Sequence, residues 1–322
     1  MSFVSIVIPE YNEEKLLETF WSRLENALGA LPSYSFEVIF VNDGSQDETQ
    51  SILENISAGD QRVRIIELSR NFGHQAALCA GLEAARGDLV ITMDGDGQHP
   101  PEMIGQMLKL ADDGYEIVLT QRLEDKKESF FKRRTSAMFY RFINRIGDTQ
   151  TTPGAADFRL LDRKVLDNLL KMPEYHRYLR GMVAWLGFKT VILPYTPEER
   201  IAGKSKYSFK KMVRLGSDAI FSFSMAPLYI GLSAGAVFLI LAIIEAIYVL
   251  SFWIRGDTSS LAPGWSSLMF MMLIIGAVLM IILGFIGIYV GYIFQEVKHR
   301  PVYVVKKTVP EENPEDQKHP EL

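Results

Sequence analysis

The chain has 322 residues, of which 48% are hydrophobic, and a formal net charge of −5 at pH 7. This length accommodates one large domain or two smaller units, and the net charge gives no indication of a nucleic-acid partner. The single cysteine, Cys79, excludes an intramolecular disulfide. No basic segment precedes the strand-like residues 4–8, so we expect no signal peptide and an N-terminal domain that stays in the cytosol.

The first 125 residues alternate between short β-branched runs and helix-like stretches. The predicted strands are 3–8, 36–41, 63–68, 88–93 and 116–120, and the predicted helices are about 13–29, 47–57, 74–86 and 101–113. This alternation is typical of βαβ units that build a parallel sheet with both faces covered. Polar clusters follow four of the strands, where ligands bind in such folds.

Beyond residue 125 the alternation ends, and two basic amphipathic stretches follow. Residues 130–147 and 207–224 interleave apolar residues with lysines and arginines. This composition is typical of helices that lie on a membrane surface. The tail from Pro310 to Leu322 has few apolar residues, so we expect it to be disordered.

Residues 228–254 and 268–294 are long and almost free of charge, and within them only Glu245 is charged. Each is long enough to cross a bilayer as a helix. Lysines and arginines are frequent before the first segment and after the second, whereas the connecting loop holds only Arg255. We therefore predict an integral membrane protein with two spans and both termini cytoplasmic. Small-residue spacings at 231–235 and 287–291 favour close helix packing and a possible homo-oligomer.

Two carboxylates one residue apart, Asp94 and Asp96, follow the fourth predicted strand. Hard oxygen ligands in this arrangement suit Mg²⁺ or Mn²⁺ bridging a diphosphate. A calcium-binding loop is excluded because His99 occupies the position at which that loop needs glycine. The simpler alternative to a metal site is a solvated Asp-Gly turn after the strand. Asp43, after the second strand, suits a nucleobase or ribose, while Ser45 or Asp47 can cap the next helix.

Four ordered motifs carry a family resemblance: VIPEYNE at 7–13, VNDGS at 41–45, RNFGHQ at 70–75 and MDGDGQHPPE at 93–102. They resemble the inverting family 2 glycosyltransferases of the GT-A fold, in particular the polyprenyl-phosphate sugar synthases. This group includes bactoprenol glucosyltransferases and dolichol-phosphate mannose synthases. The resemblance implies an α/β, Rossmann-like GT-A cytosolic domain with interfacial amphipathic helices and two C-terminal transmembrane helices.

The resemblance also implies a reaction and its partners. A sugar would be transferred with inversion from a nucleotide-sugar to polyprenyl (undecaprenyl) phosphate at the cytoplasmic membrane face, with Mg²⁺ or Mn²⁺ as cofactor. The sugar that the resemblance favours first is glucose, from UDP-glucose. The implied nucleoside-binding residues are Pro9, Tyr11, Glu13 and Asp43. The residues implied to engage the sugar diphosphate and the metal are Asp94, Asp96 and Gln98.

On the acceptor side, the resemblance implies a set of residues that hold the lipid phosphate. They are Arg122, Arg133, Arg134, Arg200, Ser205, Lys206 and Tyr207. The lysines are explained equally well by the excess of positive charge that is usual on the cytoplasmic side of a membrane span. Asp157 matches a catalytic acidic position, but a phosphomonoester is largely a dianion at neutral pH, so Asp157 could orient a group instead of acting as a base. We interpret His74, His99 and Cys79 as structural.

We divide the chain into four regions: a nucleotide-sugar-binding core at 1–125, an acceptor-side region at 126–226, a two-helix transmembrane domain at 227–295 and a largely disordered cytoplasmic tail at 296–322. The alternatives are transfer of mannose or another sugar to polyprenyl or dolichyl phosphate, and a non-catalytic nucleotide-binding membrane scaffold. A processive polysaccharide synthase is disfavoured because the sequence lacks a Gln-x-x-Arg-Trp motif and has few spans.

Overall fold

The computed structural model describes residues 2–123, 155–175, 177–196, 226–255 and 264–310. The chain forms two compact units. The first contains residues 1–144, 149–212 and 300–322, and the second contains residues 145–148 and 213–299. The predicted surface helices at 130–147 and 207–224 and the tail beyond Pro310 lie outside the described residues.

The first unit is built on one mixed sheet. Its strands are β1 (Phe3–Glu10), β2 (Ser35–Asn42), β3 (Val63–Leu68), β4 (Leu89–Thr92), β5 (Ile117–Arg122), β6 (Ala155–Asp162), β7 (Thr190–Tyr195) and β8 (Val305–Val309). Their order across the sheet is β7-β5-β6-β4-β1-β2-β3-β8. The five predicted strands are confirmed as β1 to β5, with small differences at their ends.

Helices connect these strands. They are α1 (Leu17–Gly29), α2 (Thr49–Gly59), α3 (His74–Ala84), α4 (Ile104–Asp112) preceded by a 3₁₀ turn (Pro101–Met103), α5 (Arg163–Leu170) and α6 (Leu179–Trp185). Strands β1 and β2 are buried along almost their whole length because helices cover both faces. The core includes Ile6, Ile8 and Phe40, which are fully buried.

Two strands run against the others, and neither was predicted from the sequence. β6 lies between β4 and β5 and pairs antiparallel with both. β8, at the sheet edge, pairs antiparallel with β3, and Ser69 donates a backbone hydrogen bond to Val304. The sheet is therefore mixed rather than parallel, and residues 305–309 of the predicted tail are an ordered part of it.

Charged side chains hold β8 at this edge. Lys306 Nζ lies 2.6 Å from Glu67 Oε1, and Lys307 Nζ lies 2.9 Å from Glu54 Oε1. Just before the strand, the Tyr303 hydroxyl donates to Glu83 at 2.5 Å. The strand thus covers backbone groups of β3 that would otherwise form an open edge.

The second unit contains two long helices, α7 (Ala226–Arg255) and α8 (Trp265–Val297), which contact each other. Within the described residues, one segment, Ile274–Val297, is long and apolar enough to cross a membrane, with a mean hydropathy of 2.6. The prediction of two spans stays a prediction. A Cβ at Gly231 would lie 3.1 Å from Ile282, so this glycine permits close packing, whereas Gly287 and Gly291 face open space.

Candidate active site

The loops after β1 and β2 are joined by hydrogen bonds at the carboxyl edge of the sheet. Asn12 has a positive φ of 54°, which asparagine tolerates better than most residues. Its amide N–H donates to Ser45 Oγ at 3.0 Å, and its side-chain oxygen accepts from Gln46 N–H at 2.8 Å. Of the two predicted helix caps, Asp47 accepts from Thr49 N–H at 3.1 Å at the start of α2, whereas Ser45 binds Asn12.

Asp43 connects the β2 loop to the loop before α3. Its buried carboxylate accepts from Phe72 N–H at 2.7 Å and from Gly73 N–H at 2.9 Å. Desolvation raises the pKa of Asp43, and the two backbone donors offset only part of this shift. Gly44 has a φ of 67°, and a Cβ there would lie 2.5 Å from the Arg70 carbonyl carbon. Glycine is therefore required for this close approach.

The other predicted nucleoside-binding residues lie at the same edge. Pro9 is buried near the end of β1, and Tyr11 and Glu13 follow it in a partly exposed loop. The Glu13 amide donates to Thr49 Oγ1 at 3.0 Å, which fixes this loop against the start of α2. The structure thus brings all four predicted residues to one edge of the sheet, and their contacts with a nucleoside stay a prediction.

The loop with Asp94 and Asp96 is held by His99. The Asp94 backbone N–H donates to His99 Nδ1 at 2.8 Å, and the imidazole stacks on Phe158 with ring centroids 5.1 Å apart. Desolvation lowers the pKa of this buried histidine, which favours the neutral ring that the acceptor role needs. The sequence analysis interpreted His99 as structural, and in the structure it positions the backbone of a predicted metal ligand.

His74 takes part in the site, although the sequence analysis treated it as structural. Its Nε2 lies 2.7 Å from Asp94 Oδ1, and 41% of its side chain is exposed. Desolvation opposes the charged imidazolium, but Asp94 outweighs it and raises the pKa of His74 to about 9. Despite its own desolvation, the Asp94 carboxyl has a pKa lowered to about 2, chiefly by the charge and hydrogen bond of His74. Both groups are therefore charged at neutral pH.

Arg122 lies beside the predicted metal-side residues. Its Nη2 donates to Gln98 Oε1, and its Nε donates to the Tyr195 hydroxyl at 3.1 Å. Of the acceptor-phosphate residues predicted from the sequence, Arg122 is the one within the described ranges. The others, Arg133, Arg134, Arg200, Ser205, Lys206 and Tyr207, lie outside the described residues.

Asp157, at the start of β6, is paired with two arginines. Arg159 Nη2 donates to Oδ1, while Arg180 donates from Nε to Oδ1 at 3.1 Å and from Nη2 to Oδ2 at 2.8 Å. Burial raises the pKa of Asp157, but the arginines outweigh it and hold this pKa far below its usual range. Asp157 is a permanent carboxylate and a weak proton acceptor, which favours the orienting role over the role of base.

The carboxylates at this edge fit a divalent cation. Among the described residues there is no cluster of three His, Cys, Asp or Glu side chains arranged to bind a metal ion. Mg²⁺ in nucleotide sites typically uses only one or two carboxylates, with water and substrate phosphates completing the shell. Asp94 and Asp96 are partly exposed on one loop, and Asp96 Oδ1 accepts from Gln98 N–H at 3.1 Å. This donor set matches the predicted Mg²⁺ or Mn²⁺.

Comparison with known proteins places the chain among the glycosyltransferases. The model of glycosyl transferase family 2 matches residues 5–170. An uncharacterised glycosyltransferase of Bacillus subtilis (strain 168), YkcC, is 42% identical over 309 residues, which cover 96% of this chain and 95% of that protein. The bactoprenol glucosyl transferase of Shigella phage SfII is 35% identical over 308 residues, covering 95% and 98%.

Among solved structures, the mannosyltransferase PcManGT of Pyrobaculum calidifontis, in complex with GDP-Man and Mn²⁺, is 17% identical with a TM-score of 0.48. That match covers 92% of this chain and 86% of the mannosyltransferase chain. The family match agrees with the mixed α/β sheet and with the predicted GT-A-like fold. The chain belongs to glycosyl transferase family 2 and is an enzyme of the glycosyltransferase class.

Proposed function

We propose that this enzyme transfers glucose from UDP-glucose to polyprenyl phosphate, with inversion, at the cytoplasmic face of a membrane. The observation that carries the proposal is the near full-length similarity to proteins named bactoprenol glucosyl transferase, at 34–36% identity. The carboxyl edge of the sheet supports it, since predicted donor-binding residues and the Asp94–Asp96 loop lie together there. Undecaprenyl phosphate is the acceptor that we propose for a bacterial membrane.

The reaction needs one bond to form and one to break. An acceptor phosphate oxygen attacks the anomeric carbon from the face opposite the diphosphate, and the bond from that carbon to the diphosphate oxygen breaks. The acceptor is already a dianion in large part, so no base has to remove a proton. The charge that develops on the departing UDP is stabilised by nearby cationic side chains, of which Arg122 lies at this edge.

A divalent cation, Mg²⁺ or Mn²⁺, fits this reaction. We propose that Asp94 and Asp96 hold it, with Gln98 assisting. When bound, it would supply positive charge that stabilises the diphosphate leaving group. Gln98 Oε1 accepts from Arg122, so the same amide connects the cation-binding loop to a cationic side chain.

The position of β8 supports our proposal of two membrane crossings. This strand comes after α8 in the chain and pairs with β3, so the chain returns to the sheet from which it left. A chain that returns to the same side of a membrane crosses it an even number of times. If α8 crosses, a second crossing is needed, and α7, with 30 residues and a length of about 45 Å, is the matching segment.

Cysteine labelling tests this topology. In a Cys79→Ala background, we expect Ser259→Cys, between the two helices, to react with an impermeant maleimide on intact cells. Glu25→Cys and Arg300→Cys should react only after permeabilisation, because both positions belong to the unit that carries the sheet. Both sites are exposed, so a lack of reaction in intact cells reports sidedness and not burial. Labelling of Arg300→Cys from outside would contradict the two-span topology.

Arg122→Lys is expected to impair transfer by about tenfold or more. Lysine keeps the charge but loses the planar fork that can bind a phosphate at two points. If Arg122 holds the acceptor phosphate, the KM for undecaprenyl phosphate rises while UDP binding, measured by calorimetry with Mn²⁺, stays near the wild-type value. Weaker UDP binding with an unchanged acceptor KM would instead assign Arg122 to the donor site, as its contact with Gln98 allows.

A panel of nucleotide-sugars tests the proposed function. Purified enzyme with Mg²⁺ or Mn²⁺ is supplied with undecaprenyl phosphate and with UDP-glucose, GDP-mannose or other donors, and nucleotide release is measured. We expect release from UDP-glucose that depends on the lipid. Release from GDP-mannose alone would make mannose, and not glucose, the transferred sugar, whereas donor binding without release in any reaction would favour the nucleotide-binding scaffold.

The predicted homo-oligomer rests on the small-residue spacings in the two long helices and stays a prediction.

A further inference from the structure

We propose that Gln50 is a positioning residue of the donor site, whose side-chain amide holds the loops after β1 and β2 in the conformation that binds the nucleoside. Its partner Glu54 is fixed in turn by Lys307, on the strand that follows α8. This role rests on the proposed function, since the nucleoside belongs to the sugar donor that this function requires. Gln50, Glu54 and Lys307 all lie outside the four motifs that carry the family resemblance.

The loop that contains Asp43 takes its shape from side-chain hydrogen bonds. Asn42, the last residue of β2, is buried, and its Oδ1 accepts from Ser45 N–H at 2.9 Å. Ser45 Oγ accepts in turn from Asn12 N–H at 3.0 Å, in the loop after β1. Both loops hold predicted nucleoside-binding residues. The position of the Asn42 amide therefore influences the donor site from two sides.

Gln50 sets the orientation of the Asn42 amide. Because Asn42 Oδ1 faces the Ser45 backbone N–H, its Nδ2 is a donor that needs an acceptor. Gln50 Oε1 accepts from this Nδ2 at 2.7 Å, and Gln50 Nε2 donates to Glu54 Oε1 at 3.0 Å. A flip of either amide would place two donors or two acceptors against each other. The contacts of these two side chains therefore favour a single orientation of both amides.

Glu54 ends this series of hydrogen bonds with a charged acceptor. It lies one helical turn after Gln50 on α2, a spacing that brings the two side chains together. Lys307 Nζ, on β8, lies 2.9 Å from the same Glu54 Oε1. The hydrogen bonds from Gln50 and Lys307 lower the pKa of Glu54, so this group is an ionised acceptor at neutral pH. Hydrogen bonds thus connect the strand after α8 to the loop after β2.

Loss of the Gln50 amide should affect the donor site more than the fold. Gln50 is partly exposed, so its replacement takes little apolar area from the core. Asn42 is only 1% exposed, and a buried donor that loses its acceptor favours other amide orientations and other loop conformations. A nucleoside would then have to order the loop as it binds, which lowers its affinity. The residues proposed to hold the acceptor phosphate belong to other segments, so the affinity for the lipid should not change.

An exchange of two side chains tests this role. Gln50→Glu alone places two carboxylates one helical turn apart and removes the donor that faces Glu54. In the double variant Gln50→Glu/Glu54→Gln, the carboxylate at position 50 accepts from Asn42, while the amide at position 54 donates to that carboxylate and accepts from Lys307. This exchange restores the series of hydrogen bonds with the same composition and net charge.

The measurement is calorimetry with UDP and Mn²⁺, on the full-length protein in detergent. We expect the Kd of UDP to rise about tenfold in Gln50→Glu and to return to within about threefold of the wild-type value in the double variant. In transfer assays, the KM for UDP-glucose should change in parallel, whereas the KM for undecaprenyl phosphate should stay within about twofold of the wild-type value.

Lys306→Met and Lys307→Met form a matched pair on β8. Both lysines attach this strand to the sheet unit, but Lys306 pairs with Glu67 at 2.6 Å, whereas Lys307 pairs with Glu54. We expect the Kd of UDP to rise about threefold in Lys307→Met and to stay at the wild-type value in Lys306→Met. Equal effects of the two substitutions would contradict the role of Lys307, because attachment of the strand alone would then explain them.

Two outcomes would overturn the role of Gln50. One is a Kd of UDP within about twofold of the wild-type value in Gln50→Glu, even if its Tm falls, because Gln50 would then only support the fold. The other is a double variant that binds UDP as weakly as Gln50→Glu, because the restored hydrogen bonds would then not act on the site.

Failure of the proposed function gives a different result. Nucleotide binding by the wild type without sugar transfer would contradict the proposed function alone, and the Kd values would still decide the role of Gln50. If the wild type binds GDP instead of UDP, the same comparison with GDP decides it. Binding of neither nucleotide would contradict both the donor site and the positioning role.

Discussion

Asp96→Ala is expected to reduce sugar transfer by about 1,000-fold or more while leaving the protein folded. Asp96 lies in a partly exposed loop after β4 and accepts a 3.1 Å hydrogen bond from Gln98 N–H within the same loop. Its removal takes no apolar group from the core, so the change in Tm should be small. Transfer should fall because the divalent cation loses one of its two proposed carboxylate ligands.

The measurement is nucleotide release in the presence of Mg²⁺ or Mn²⁺, together with Tm and UDP binding. Asp113→Ala is the matched control, since Asp113 is an exposed aspartate at the end of α4, away from the carboxyl edge. Chelation of the wild type with EDTA should have the same effect as the substitution, and added Mn²⁺ should restore activity to the wild type only. Full activity of the wild type without divalent cations would contradict the assignment of Asp96.

Asp157→Asn is expected to lower both stability and activity. Arg159 is only 3% exposed and would lose the charge that pairs with it, which costs about 3 kcal/mol and lowers Tm by roughly 5–10 °C. Transfer should fall by about 100-fold because Asp157 lies beside the strand that carries the Asp94–Asp96 loop, where it accepts a hydrogen bond from Thr92 Oγ1 at its backbone carbonyl. Asp167→Asn is the control, since Asp167 forms a surface ion pair with Arg163 at 3.7 Å and should change Tm little.

The pH dependence of this effect has a definite sign. The pKa of Asp157 is lower in the folded protein than its usual value near 4. Its stabilising contribution is therefore complete above about pH 4 and is lost as the pH falls toward the folded-state pKa. The difference in Tm between the wild type and Asp157→Asn should be constant from pH 5 to pH 8 and should shrink in stronger acid.

The same variant separates a positioning role from general-base catalysis. A carboxylate with such a low pKa adds no limb to the pH profile of kcat/KM between pH 5 and pH 8. If Asp157 were a base, the wild-type kcat/KM would instead decrease as the pH falls within this range, and Asp157→Asn would remove that dependence. Such a dependence would favour general-base catalysis over the orienting role.

The sequence by itself determined the part of the molecule that local patterns encode. Continuous apolar runs predicted β1 to β5, because strands buried on both faces cannot alternate with polar residues. The motifs at the ends of these strands predicted a ligand-binding site at one edge of the sheet, since the carboxyl ends of parallel strands meet there. The spacing alone therefore predicted Asp94, Asp96 and Asp43 at this edge, whereas the ion pair between His74 and Asp94 was not predicted.

Only the tertiary structure decided which distant residues lie next to the predicted site residues. β6 and β8 run antiparallel, and neither direction nor strand order is encoded in the apolar pattern of a single strand. Arg180 reaches Asp157 from a helix 23 positions away, and Arg122 reaches Gln98 across 24. Such pairs depend on the packing of separate elements. Packing also decided the pKa of Asp157. Two arginines outweigh the effect of burial and lower this pKa, whereas the sequence alone left open whether Asp157 acts as a base.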